Sequence, residues 1–115
     1  MALTYITLDL EWNQPAPGCE VLHQLTTEII QIGAVKMNEH FEVIDQFKAD
    51  IRPRFYPEIK REVQQLTGIC SQQLEQGMEF PTAAEQLHQW CGENFFLITW
   101  SHEDVPVLRK NMAVY

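Results

Sequence analysis

Apolar and polar residues alternate along Tyr5-Ile6-Thr7-Leu8-Asp9-Leu10-Glu11, placing Ile6, Leu8 and Leu10 on one face of a strand and Thr7, Asp9 and Glu11 on the other. A loop carrying Pro15, Pro17 and Gly18 follows, then a long apolar strand over 28–37. Asn38-Glu39-His40 suits a turn. The return strand alternates again, with Phe41, Val43, Phe47, Ala49 and Ile51 on the face expected to be covered, and Pro53 and Pro57 end it. From Glu58 the period becomes helical through Ile59, Val63 and Leu66, with Gly68 as a left-handed cap. A short helix is expected over 71–76, stopping at Gly77. Thr82 and Glu85 have capping-box spacing ahead of a stripe of Ala84, Leu87, Trp90 and Cys91, and Gly92 ends that helix. The run 95–100 is apolar on both faces, as in a strand at the middle of a sheet. Pro106, tolerated only in a first turn, starts a final helix near Glu103 or Asp104 that carries Leu108 and Met112.

The order β-β-β-α-α-α-β-α predicts an α/β or α+β domain in which the first and fourth strands can lie side by side. A length of 115 residues allows one domain with a single core, and 45% hydrophobic residues exclude disorder. No run of about 18 apolar residues exists to span a membrane, and no secretory leader pattern precedes the first strand. Cys19, Cys70 and Cys91 are odd in number and scattered, which fits free thiols in a reducing cytoplasm.

A net charge of −8 weighs against a nucleic-acid binder unless metal ions supply positive charge. The basic residues Lys48, Arg52, Arg54, Lys60 and Arg61 cluster in one segment, but Asp50, Glu58 and Glu62 dilute them.

The candidate chemistry lies in acids. Asp9 and Glu11 project from one strand face roughly 6.5–7 Å apart. Such a pair repels unless a cation sits in front of it, and Mg²⁺ uses one or two carboxylates with waters and substrate phosphate. A solvated strand edge accounts for the same two residues. Asp104 comes near them if the first and fourth strands are neighbours. Its spacing from Ser101 equally suits a helix cap, where an acid contributes about 0.3–1 kcal/mol. His88-x-x-Cys91 makes only half a zinc site, and no glycine motif for a dinucleotide or P-loop is present.

Four segments occur in order: Ile6-Thr7-Leu8-Asp9-Leu10-Glu11-Trp12-Asn13, the strand over 28–35, Leu66-Thr67-Gly68-Ile69, and the stretch 100–108 containing Asp104. Together they resemble the DEDDh-type 3′–5′ exonucleases, in the sporulation-inhibitor-like and histone-mRNA-exonuclease-like branch. The resemblance implies a ribonuclease H-like mixed sheet, with β1-β2-β3 antiparallel and β4 parallel. It implies a Mg²⁺ or Mn²⁺ pair held by Asp9, Glu11 and Asp104. It also implies that Leu66 and Thr67 bind the terminal nucleotide, with Trp12 and Asn13 near its base and 3′ hydroxyl. The activity implied is release of nucleoside monophosphates from single-stranded RNA or DNA 3′ ends.

The same resemblance calls for a third motif, a His general base followed by a metal-binding Asp. None of His23, His40, His88 or His102 stands in that position. Residues 1–115 therefore read as a C-terminally truncated exonuclease domain with motifs one and two only. Two expectations stay open: an impaired exonuclease, or a non-catalytic remnant that binds nucleic acid or a regulatory protein. Without a fifth strand, 95–100 would be an apolar edge prone to self-association.

Overall fold

The computed structural model describes residues 2–115. Four strands, β1 (Thr4–Asn13), β2 (Glu28–Met37), β3 (Val43–Asp50) and β4 (Phe95–Thr99), form one sheet in the order β3-β2-β1-β4. β1 pairs antiparallel with β2, β2 antiparallel with β3, and β1 parallel with β4. The helices are α1 (Arg61–Thr67), α2 (Ser71–Glu75), α3 (Phe80–Cys91) and α4 (Asp104–Val114). This is the mixed sheet expected of the ribonuclease H-like plan.

The alternation in β1 is realised: Ile6, Leu8 and Leu10 are buried against Phe80, Ala83 and Leu87 of α3 and Val107 of α4. Each fully buried side chain of this size contributes about 1.5–3 kcal/mol of transfer free energy. β2 is apolar on both faces because both are covered at its start. Trp12 pairs with Ile29 while Glu11 pairs with Gln31, so Ile30 is skipped at a bulge. It joins a second cluster with Ile59, Ile69 and Leu74, on the side occupied by α1 and α2.

Several elements depart from the periodicity. β3 is covered only in its second half: Ala49 and Ile51 are buried, whereas Phe41 and Val43 are exposed. The cause is local. Lys36 pairs with Asp45 and Met37 with Val43, a bulge that breaks the alternation at Ile44, and Phe41 turns with φ 61 in a loop closed on the Asn38 side chain. The helix expected from Glu58 begins at Arg61, and Leu66 is 89% exposed instead of joining Ile59 in the core. Thr82 lies inside α3, whose N-cap is Glu79, so the capping box does not form. β4 is an edge strand with Phe96, Leu97 and Ile98 exposed, and Trp100 lies beyond it in solvent.

Gly68 caps α1 at φ 77, as its position implied. Gly77 is required sterically. Met78 bonds back to Asp50, and a Cβ on Gly77 would meet the Asp50 carbonyl oxygen at 2.8 Å and the Arg52 nitrogen at 2.9 Å.

Candidate active site

The parallel pairing of β4 with β1 ends at Leu8 and Thr99. Leu10 thus extends past its neighbour, and its N–H donates to Oδ2 of Asp104 at 3.1 Å. The first residue of α4 takes over where the strand stops. Asp104 is 5% exposed, and its carboxylate sits at the positive end of an eleven-residue helix, which favours the charge. Ser101 does not cap this helix. Its Oγ accepts the Glu103 N–H inside the connecting turn.

Asn111, two turns along α4, is fully buried and holds the helix in place. Its Oδ1 accepts the Ile29 N–H at 3.0 Å, and its amide donates to the Thr27 and Val107 carbonyls. The sequence signal was present: Asp104, Val107 and Asn111 follow helical spacing, so a polar residue sits on a buried stripe.

Asp9 is exposed and Glu11 half-buried on the opposite face of β1 from the main core. The Glu11 carboxyl is pushed up by burial, then by the charge of Asp9, then by that of Asp104. The three acids share one field. Both ion pairs found among the described residues lie elsewhere, on Glu79 with Arg52 and Arg54. No group of three or more His, Cys, Asp or Glu side chains among the described residues is placed closely enough to hold a metal ion by itself. The acids are neighbours and not a cage. An all-oxygen set of this kind fits a hard divalent ion, which needs one or two protein carboxylates and takes the rest from water and phosphate.

Two hollows flank the acids. One, of about 320 Å³, lies between β1 and α1, with Glu11, Trp12 and Gln14 on one wall and Glu62, Val63, Leu66 and Thr67 on the other. It brings Glu11, Trp12, Leu66 and Thr67 together. Trp12 packs its inner side on the main core. The Thr67 hydroxyl donates to the Val63 carbonyl and accepts the Ile69 N–H, so it also finishes the helix. The other hollow, of about 420 Å³, runs over the open sheet face beside Asp9, with Gln31, Lys48 and Trp100 in its lining.

Asn13 does not join the site. It is fully buried, its amide donates to the Tyr56 and Glu58 carbonyls at 3.0 and 2.9 Å, and its Oδ1 accepts the Lys60 N–H at 3.0 Å. With those groups spent on backbone, no surface is left to meet a nucleotide. Periodicity also gave no warning of Glu28. It is fully buried, accepts the N–H groups of Arg54, Phe55 and Tyr56, and receives the hydroxyl of Tyr115. A carboxylate opening an otherwise apolar strand was the available signal. His88 and Cys91 face a small apolar hollow by α3, and no third ligand among the described residues completes a metal group with them.

Residues 6–115 match the family model described as exonuclease, RNase T. The chain is 29% identical over 107 residues to the probable 3′–5′ exonuclease KapD of Bacillus subtilis (strain 168), covering 92% of this chain and 51% of that protein. The nuclease domain of 3′hExo, a DEDDh family member bound to rAMP, superposes with a TM-score of 0.80 at 21% identity, over 96% of this chain and 58% of that one. Exonuclease I of E. coli, in complex with a 5cy-dA13 oligonucleotide, gives 0.73 at 17% identity, over 92% and 23%. The chain thus spans about half the length of the curated relative it matches.

Proposed function

Because this chain belongs to the exonuclease family, and its fold is that of DEDDh-type members, we propose that it serves metal-dependent 3′–5′ removal of nucleoside monophosphates from single-stranded RNA or DNA. The observation that carries this reading is the meeting of Asp104 with the strand bearing Asp9 and Glu11, across 94 residues of sequence; the Glu11 carboxyl is pushed up first by burial, then by Asp9 and Asp104.

Asp9, Glu11 and Asp104 would hold Mg²⁺ or Mn²⁺, which when bound supplies charge for the attacking water and the leaving oxygen. The chain's own residues do the placing. Leu66, exposed at the rim of the hollow beside Glu11, wedges against the terminal base; Trp12 forms the facing wall, and Thr67 meets the sugar. Such contacts read end shape and backbone instead of base edges. Solved relatives holding rAMP and a DNA oligonucleotide support both polymers as substrates. Three free thiols support a cytoplasmic setting. The bare β4 edge supports pairing with a second copy, which light scattering would detect as a dimer and a monodisperse monomer would contradict.

The test is a 5′-labelled single-stranded oligonucleotide with Mg²⁺ or Mn²⁺. The expected result is a ladder shortened from the 3′ end, with monophosphate products, that disappears in Asp9→Asn and with chelator. An inert parent chain that still binds the oligonucleotide would replace this reading with a non-catalytic nucleic-acid-binding role.

A further inference from the structure

We propose that Asn13 is a positioning residue that locks α1, and with it Leu66 and Thr67, to the strand carrying Asp9 and Glu11. The inference rests on the nuclease reading for its catalytic consequence, but not for its geometry.

α1 has seven residues, none of them fully buried, and Leu66 points into solvent. Only Val63 rests partly against the second cluster. Apolar packing alone therefore gives α1 little to fix its angle or its distance from β1. The polar ties are concentrated immediately upstream. Asn13 stands two residues after Glu11 on the same strand, and holds the carbonyls of Tyr56 and Glu58 and the N–H of Lys60, the residue that caps α1. Glu28, from the neighbouring strand, grips the N–H groups of Arg54, Phe55 and Tyr56. The segment 54–60 is thus bracketed from both strands, and Asn13 is the member of the bracket next to the helix. Because Asn13 and Glu11 share one strand, the acids and the nucleotide-gripping helix sit in one rigid frame. Loss of that frame moves the grip and leaves the acids where they are.

Two variants separate this from a general stability role. Asn13→Ala removes all three bonds. Lys60→Pro removes the N–H given to Asn13, at a backbone φ of −55 that proline accepts, and Lys60→Ala, which keeps that N–H, controls for loss of the lysine side chain. A misplacement of this kind is expected to raise KM for a single-stranded oligonucleotide about tenfold or more in Asn13→Ala, and less in Lys60→Pro. Metal-dependent hydrolysis of bis(p-nitrophenyl) phosphate, too small to reach α1, should stay within about twofold. Equal loss on both substrates, or no change in KM, would overturn the proposal. Hydrogen exchange gives a readout independent of turnover. The hydrogen-bonded amides of 64–68 should exchange about ten times faster in Asn13→Ala, with β1 and β2 unchanged. Unaltered exchange in α1 would refute the lock even if the oligonucleotide assay failed in the parent, whereas an inert parent with altered exchange would count only against the nuclease reading.

Discussion

Asp104 is asked to do two jobs, and two substitutions separate them. In Asp104→Ala the Leu10 N–H loses its acceptor at a position where neither β4 nor water replaces it, because Leu10 is 4% exposed. An unsatisfied buried donor costs about 1–3 kcal/mol, and the acid at the start of α4 contributes roughly a further 0.3–1 kcal/mol. Relief of repulsion on Glu11 returns only a few tenths, since that carboxyl is largely in contact with solvent. The net loss is about 1–3 kcal/mol, which lowers Tm by roughly 5–15 °C in a domain of this size. Asp104→Asn keeps an oxygen for the Leu10 N–H and removes the charge, so it should melt within about 4 °C of the parent. Added Mn²⁺ should raise Tm in the parent, and by much less in either variant. Thermal unfolding followed by circular dichroism, with and without Mn²⁺, reads all three. The reasoning fails if Asp104→Ala melts with the parent, or if Asp104→Asn falls as far as the alanine.

Other outcomes follow from the same geometry. The Glu11 carboxyl is pushed up in the folded chain, so its ionisation opposes folding, and stability is lost as pH rises through its folded titration. Glu11→Gln in metal-free buffer should therefore raise Tm slightly at pH 7, and the gain should vanish below about pH 3.5, under the ordinary glutamate pKa, where the parent carboxyl is protonated in both states. Gly77→Ala forces a Cβ onto backbone atoms of 50–52 that cannot give way, and should cost about 1–3 kcal/mol in urea unfolding. Tyr115→Phe removes a hydroxyl from Glu28, beside which burial keeps the phenol protonated as a donor. A loss of about 0.5–1.5 kcal/mol is expected by the same measurement.

The frame of this fold was legible where the period of the sequence equals the period of the structure. β1 as far as Glu11 follows its alternation and the start of α4 its proline, because nothing competes with either. The failures have separate causes. Bulges at Ile30 and Ile44 shift side chains without leaving a mark in the pattern, so the covered face of β3 was overextended. Leu66 has the spacing of a core residue, yet α1 is too short and too far out to bury it. Types and spacing singled out Asp9, Glu11 and Asp104 as candidates, and the resemblance to DEDDh exonucleases joined them into one set. The amide and carboxylate that brace the site, Asn13 and Glu28, were misassigned or missed, because a side chain bonded to distant backbone carries no local signature. Glu28 offered only a carboxylate opening an apolar strand, and Asn111 a polar residue on a buried stripe.

Leu10 and Asp104 are bonded to each other from nearly opposite ends of the described chain. Closing so large a loop costs entropy that nearby hairpin contacts need not pay. The β1-β2-β3 meander taken alone therefore carries only two of the three acids, Asp9 and Glu11. Under the nuclease reading, the third acid joins the other two only once β4 and α4 have docked against β1.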